Sequence, residues 1–269
     1  MRITFIGGGN MADALVGGLL RKGFAEAELR VVELLPEARR RIEDKYGIAC
    51  FDRAQGTIRD GDVVVLAVKP QQMREAVKSL GISPNSHLVI SIAAGMRLVT
   101  ISRWSGGTRR LVRAMPNTPA LIGEGVTGLY PMEVTAQDRK DAETILGAVG
   151  ATVWIESEPQ MDAVTAVSGS GPAYVFYFIE AVEEAARDLG LPSAVARRLA
   201  LQTFTGAAEL AAGSADPVSA LRERVTSKGG TTERALASLA KDRVKEAIVR
   251  AIRAASDRGR ELGEELDRD

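Results

Sequence analysis

Seven short apolar runs punctuate the first half of the chain: RITFI (2–6), LRVVE (29–33), VVVLAV (63–68), HLVISI (87–92), RLVRAM (110–115), GVTGLY (125–130) and ATVWI (151–155). They are rich in Val and Ile and mostly lack a polar residue at every second position. That pattern suits strands buried on both faces of a sheet. Amphipathic segments lie between them, at 10–23, 36–46, 71–80, 97–104 and 135–147, and read as helices. Strand and helix in alternation predict a parallel, doubly wound α/β sheet.

After residue 158 no strand-like run bounded by turns remains. PAYVFYFIEAVEEAARDLG (172–190) reads as a helix with Pro172 in its first turn and Gly190 past its end. SAVARRLALQTFTGAAELAAG (193–213) is a second helix, rich in Ala and Gly. The segment 241–266 places Val244, Ala247, Ile248, Ala251, Ile252, Ala255, Leu262 and Leu266 on one stripe of a third. The stripe serves either packing within its own domain or a subunit interface. Charge and proline interrupt the pattern at ESEPQMD (156–162), so the expected domains are 1–157, α/β, and 158–269, all helical.

Composition narrows the choice of chemistry. Lys plus Arg balances Asp plus Glu at 35 each, so no basic domain invites nucleic acid. The single cysteine, Cys50, excludes an intrachain disulfide and a cysteine-built zinc site, and fits a reducing compartment. The single histidine, His87, opens an apolar run and reads as a strand-end residue. No signal peptide is expected, because MRITFIGGGN meets glycines after a handful of apolar residues. No run approaches the roughly 20 apolar residues of a membrane span, and the expected location is the cytoplasm.

The first candidate site is FIGGGNMA (5–12), in which Gly7, Gly9 and Ala12 satisfy G-x-G-x-x-A between a strand and a helix. Gly7 allows the tight turn, Gly9 lets backbone N–H groups approach a pyrophosphate, and Ala12 lets helix and strand pack closely. The helix N-terminus adds unpaired donors and the positive end of its dipole. Ile6, Gly7, Gly8, Gly9, Asn10, Met11 and Ala12 therefore form the expected dinucleotide loop of a Rossmann-like domain. Glu33, at the end of the second strand, can accept from the ribose 2′-hydroxyl and repels a 2′-phosphate, which favours NADH. Arg39, Arg40 and Arg41 follow closely; they either reach a 2′-phosphate or form a solvated helix face. The cofactor is NADH or NADPH, with no metal. Ala67, Val68, Lys69 and Pro70 end the third core strand, on the edge where ligands bind in such sheets. Pro70 holds Lys69 extended. Asn117, in MPNTP, either meets the nicotinamide carboxamide or simply forms a turn.

Five runs carry a family resemblance: FIGGGNMA (5–12), LAVKPQ (66–71), RAMPNTPA (113–120), AVSGSGPAY (166–174) and LRERVTSKGGTTERAL (221–236). In order and spacing the chain resembles pyrroline-5-carboxylate reductases over nearly its whole length. The resemblance implies reduction of the C=N bond of 1-pyrroline-5-carboxylate to L-proline by hydride from NAD(P)H. It also implies a homodimer built through the helical domains and allows a ring of five dimers. A protonated imine is already a good hydride acceptor. The site therefore needs an anion seat, a hydrogen bond near the ring nitrogen and a well-placed nicotinamide rather than a strong general acid.

The last run supplies the expected substrate pocket. TSKGGTT enters a helix near Thr231, and Gly229 and Gly230 let backbone come close to a ligand. Their N–H groups, with the helix N-terminus, would seat the carboxylate. By resemblance Thr232 is the catalytic hydroxyl at the ring nitrogen, with Thr226, Ser227 and Thr231 lining the pocket. Thr231 also suits a plain N-cap. Ser168, Ser170 and Gly171, in AVSGSGP, border the site by resemblance, although Ser170 and Pro172 also suit capping. Lys228, where the family often has proline, is expected to point to solvent. β-Hydroxyacid dehydrogenases share the two-domain plan but use a lysine on the helix here spanning 172–190, which has none. A non-catalytic dinucleotide sensor, or a reductase of other cyclic imines, completes the alternatives.

Overall fold

A computed structural model describes residues 1–268. Eight strands form one sheet: β1 (Ile3–Ile6), β2 (Leu29–Val32), β3 (Ala49–Phe51), β4 (Val63–Leu66), β5 (Val89–Ser91), β6 (Leu111–Met115), β7 (Gly125–Met132) and β8 (Gly150–Trp154). Their spatial order is β3-β2-β1-β4-β5-β6-β7-β8. Its first six positions are those of a dinucleotide-binding sheet, with the order reversing between β1 and β4. The helices between strands are α1 (Asn10–Arg21), α2 (Pro36–Tyr46), α3 (Met73–Lys78), α4 (Leu98–Trp104) and α5 (Ala136–Leu146).

The lack of alternation in the strands has its expected cause. Ile3 and Phe5 of β1, with Val63 and Val65 of β4, sit in one apolar cluster. Ile6, Val64 and Leu66 sit in another, on the opposite face. Successive side chains point to opposite faces, so a sheet covered on both faces is mostly apolar on both, not only at alternate positions.

Two features depart from the expected plan. The sheet is not parallel throughout: β6 and β7 pair antiparallel, with Ala114 opposite Leu129. Only a short 3₁₀ turn, Thr118–Ile122, joins them, and a parallel return needs a crossover of about a dozen residues or more. The eighth strand, β3, has no counterpart among the apolar runs. It is a three-residue edge strand beside β2, exposed or half-buried along its length.

The remaining helices are α6 (Gln160–Val164), α7 (Gly171–Asp188), α8 (Ser193–Ala212), α9 (Val218–Arg224), α10 (Thr231–Lys241) and α11 (Val244–Arg268). Between α6 and α7 the chain forms a π-helical turn, Thr165–Gly169. The chain divides into two compact units, one comprising residues 1–170 and 254–269, the other residues 171–253. The end of α11 thus packs within the first unit. A Cβ on Gly95 would lie 3.4 Å from the Leu266 Cδ1, and Arg97 pairs with Asp267 at 2.7 Å. Among the described residues no helix is long and apolar enough to cross a membrane.

Candidate functional site

The Gly-rich loop closes as its residue types require. Gly7 has φ +105°, and a Cβ there would lie 2.7 Å from the Ala67 carbonyl oxygen. The ends of β1 and β4 therefore meet with no room for a side chain, and a non-glycine residue would also be strained. Gly9 is the N-cap of α1, in extended conformation, and no side chain caps that helix. Space above Gly9 is open to beyond 4 Å. An uncapped N-terminus next to an unobstructed glycine suits the oxygens of a pyrophosphate. Ala12 is 1% exposed in the core, as close helix–strand packing demands.

Other residues of this group play parts different from those expected. Ile6 is buried, and its carbonyl accepts from the Ala67 N–H at 2.8 Å, so it packs the core rather than facing a ligand. Gly8 is buried. Its N–H donates to the Glu33 carboxylate at 2.8 Å, which removes that donor from any phosphate seat. The other Glu33 oxygen accepts from the Leu35 N–H at 2.9 Å. Each oxygen keeps a further lone pair with which to accept. Met11 and Val68 are half-buried, Asn10 and Lys69 exposed. Lys69 is extended (φ −64°, ψ 149°) at the head of a 3₁₀ turn begun by Pro70, the conformation the proline predicts.

The arginines after β2 are not a uniformly solvated face. Arg39 donates to the Glu33 and Leu34 carbonyls at 2.6 and 2.9 Å. Arg41 donates to the Gly8 carbonyl at 3.0 Å. Arg40 alone of the three has no partner among these loop groups and is exposed. Sequence spacing carried no signal for these contacts, because they depend on how α2 lies against the loop.

Asn117 is a structural tie. Its Oδ1 accepts from the Val126 N–H at 2.9 Å, and its Nδ2 donates to the Ser168 carbonyl at 3.2 Å. One bond from each end of the amide thus ties it to β7 and the π-turn, with one N–H and one lone pair to spare. Ser168 lies within the π-turn and donates to the Val164 carbonyl at 2.9 Å. The Ser170 N–H continues the π-helical ladder to the Thr165 carbonyl at 2.8 Å. Gly169 is tightly packed, since a Cβ would meet the Met115 Cε at 2.6 Å, whereas Gly171 is unobstructed. Single-turn π-bulges recur at functional sites. His87 is buried, its ring nitrogens engaged by Ser86 Oγ at 2.6 Å and the Arg59 carbonyl at 3.1 Å.

In the second unit the expected loop and helix junction is present. The N-cap of α10 is Gly230, not Thr231, and no side chain caps the helix. Thr231 and Thr232 therefore occupy the first two helical positions with hydroxyls not used for capping. The glycine N–H groups, expected to seat the carboxylate, are spent within the loop. Gly229 donates to the Glu233 carboxylate at 2.7 Å, and Gly230 to the Ser227 carbonyl at 3.0 Å. The anion-seeking donors here are instead the N–H groups of the first turn of α10. Gly229 has φ +75°, and a Cβ on Gly230 would lie 2.5 Å from Ser227 Oγ, so the glycines shape the turn. The spacing from Gly230 to Glu233, that of an N-cap and its reaching acid, was the available signal. Thr226 bonds back to the Arg222 carbonyl at 2.7 Å, and Lys228 is exposed.

Comparison with known proteins bears on what these groups do. Residues 158–262 match a family model described as pyrroline-5-carboxylate reductase dimerisation. Residues 2–95 match one described as NADP oxidoreductase coenzyme F420-dependent. The chain is 43% identical to the pyrroline-5-carboxylate reductase of Pseudomonas aeruginosa, over 98% of each protein. A solved pyrroline-5-carboxylate reductase from Coxiella burnetii is 41% identical, with a TM-score of 0.89 over 97% of this chain and 98% of that one. The Plasmodium falciparum pyrroline carboxylate reductase, solved with NADP bound, is 30% identical, with a TM-score of 0.86 over 98% of each chain.

Proposed function

The chain belongs to the pyrroline-5-carboxylate reductase family, and from that premise we infer how its own residues perform the reaction. It is an NAD(P)H-dependent oxidoreductase that reduces the C=N bond of 1-pyrroline-5-carboxylate to L-proline, the final step of proline biosynthesis. NADH or NADPH, when bound, supplies the hydride.

Gly7, Gly9 and the first turn of α1 take the pyrophosphate of the dinucleotide, a reading supported by the open face of Gly9 and the absence of a side-chain cap. Glu33, at the end of β2, meets the adenosine ribose and favours NADH over NADPH. Ala67, Val68, Lys69 and Pro70 border the same cofactor edge. In the substrate pocket, the first-turn N–H groups of α10 hold the carboxylate. Thr231, Thr226 and Ser227 line that pocket, with Gly229 and Gly230 setting its shape. Ser168, Ser170 and Gly171 are assigned to substrate binding by the family resemblance alone; Ser168 lies in the π-turn, Ser170 follows it and Gly171 opens α7. Thr232 is the catalytic residue: its hydroxyl bonds the ring nitrogen and orients the protonated imine. Hydride adds to the imine carbon, the π pair collapses onto nitrogen and the iminium becomes a neutral secondary amine. No strong acid is required, because the nitrogen enters already protonated.

The observation that carries this reading is the uncapped N-terminus of α10, with Thr231 and Thr232 at its first two positions. The division into a dinucleotide-binding domain (1–157) and a substrate-binding and dimerisation domain (158–269) is supported by the dimerisation model beginning at residue 158. The same match, with the uncovered apolar faces of the second unit, supports a homodimer. A ring of five dimers rests on the family resemblance, and a solution mass decides it. The half-buried free Cys50 suits the reducing cytoplasm.

The test is steady-state turnover of NADH and NADPH with pyrroline-5-carboxylate, comparing wild type with Thr232→Ala. We expect kcat/KM to fall about 10- to 100-fold, the loss of a hydrogen bond to a charged group plus misorientation, with dinucleotide affinity unchanged. Wild-type activity in the Thr232→Ala protein would remove Thr232 from the mechanism.

A further inference from the structure

Three glycines in a row, Gly7–Gly8–Gly9, give a loop that must hold phosphate donors in fixed directions the greatest backbone freedom a sequence can offer. The side chains that follow β2 remove that freedom. The Gly7 N–H is fixed by the Val32 carbonyl at 2.7 Å. The next peptide, Gly7–Gly8, has its N–H held by the Glu33 carboxylate at 2.8 Å. The peptide after that, Gly8–Gly9, has its carbonyl held by Arg41 at 3.0 Å. A peptide unit is planar and trans, so its C=O and N–H point in opposite directions. Gripping the Gly8 oxygen therefore aims the Gly9 N–H away from α2, toward the open space above Gly9. The brace is itself braced. Arg39 bonds the Glu33 and Leu34 carbonyls, and Ile42, fully buried, packs so closely that a Cβ on Gly8 would lie 2.7 Å from its Cδ1.

We propose that Arg41 and Glu33 are positioning residues for the dinucleotide, each locking one peptide plane of the Gly7–Gly9 run so that the Gly9 N–H is aimed before the pyrophosphate arrives. This rests on the reading that the Gly-rich loop takes the pyrophosphate. The pyrophosphate is common to NADH and NADPH, so Arg41 acts equally on both. Preorganisation of this kind contributes affinity by lowering the ordering cost of binding. Glu33 carries a second duty at the ribose, so Arg41 is the cleaner handle.

The experiment uses the full-length enzyme with Arg41→Ala and Arg41→Lys. NADH and NADPH affinities are titrated by nicotinamide fluorescence, alongside steady-state kinetics and thermal melting. For Arg41→Ala we expect Kd and KM to rise by the same factor for both dinucleotides, roughly three- to tenfold, one hydrogen bond's net worth. The kcat at saturating dinucleotide, the KM for pyrroline-5-carboxylate and the Tm stay at wild-type values. Arg41→Lys, which keeps a cationic donor on a long stem, is expected to recover part of the loss. Unchanged affinities in Arg41→Ala overturn the proposal. So does a loss confined to NADPH, which makes Arg41 a 2′-phosphate contact instead. Gly9→Val separates the two levels: undiminished dinucleotide binding in that variant sinks the loop assignment itself, and the proposal with it.

Discussion

The two compact units solve the burial problem in opposite ways. The first closes its own core. Phe5, Leu15, Leu19, Leu29, Leu66 and Ile90 are wholly or almost wholly removed from solvent by residues of the same unit. The second, all helix, fully buries among its apolar residues only Ala196 and Ala200. Along α7 and just past its end, Val175, Val182 and Leu189 recur every seven residues, one helical face, and are 44%, 44% and 85% exposed. A groove of about 720 Å³ between α9, α10 and α11, lined by Leu236, Ala240, Val244 and Ile248, is likewise uncovered. Apolar surface on this scale marks an interaction face. Its extent teaches that the helical unit is half of a core, and that its stability belongs to an assembly rather than to one chain.

The sharpest way to break that contrast is to put charge on the uncovered face. Val175→Glu with Val182→Glu should convert the oligomer to monomer in light scattering and abolish nearly all turnover, because the helical unit then has nothing to close against. Val153→Glu, at a somewhat more exposed apolar position on the first unit (52% exposed), should leave mass and activity at wild-type values. Identical behaviour of the two proteins would mean that the exposed stripe is not an interface.

The next effect is on stability within the closed unit. Phe5→Ala empties a fully buried position at the centre of the sheet. Large-to-small substitution of such a residue costs about 3–5 kcal/mol. Denaturant unfolding followed by fluorescence should lose that amount at unchanged oligomer mass, whereas the double glutamate variant loses mass first. A loss below about 1 kcal/mol would mean that this core relaxes around cavities, against its tight packing.

The same contrast explains what could be read in the sequence. The strands of the first unit were legible because a closed core writes itself as continuous Val and Ile runs. The antiparallel β7 was not, because direction depends on how a short connector such as Thr118–Ile122 returns. Edge strand β3, with little to bury, left no apolar signature. The candidate site loops were visible as glycines and hydroxyls at set spacings, but their hydrogen-bond economy was not. Which N–H of Gly8, Gly229 or Gly230 remains free depends on carboxylates and carbonyls that only the fold brings near. Glu33 illustrates this: its place at the end of β2 was legible, its grip on Gly8 was not. Asn117 likewise had two readings, and its bonds to β7 and the π-turn left no trace in the spacing. The end of α11 was ambiguous for a related reason, since one stripe on one helix serves the first unit through Leu266 and leaves Leu262 exposed.

The smallest effect tests a charge that the closed unit can hold inside it. The Asp62 side chain is fully buried. It accepts from Arg2 at 2.9 Å, Thr4 at 2.9 Å, Arg30 at 3.4 Å and the Arg59 N–H at 2.9 Å. Burial by itself would raise this carboxyl. The Arg59 N–H, Arg2 and Thr4 hydrogen bonds and the Arg30 charge outweigh it and hold the group below its ordinary 3.8. The sign follows from linkage. A carboxyl depressed in the folded state stabilises in full above the unfolded value and loses that contribution as pH falls through the folded one. Asp62→Asn keeps the shape but leaves the charge of Arg30 less well met, at a cost of about 1–3 kcal/mol near neutrality. Urea unfolding of both proteins at pH 7, 5 and 3 should show the difference constant between the first two and shrinking at the third. A difference that persists undiminished at the lowest pH would assign the loss to packing, and would mean that even the unit with its own core is not using this ion pair to hold its strands together.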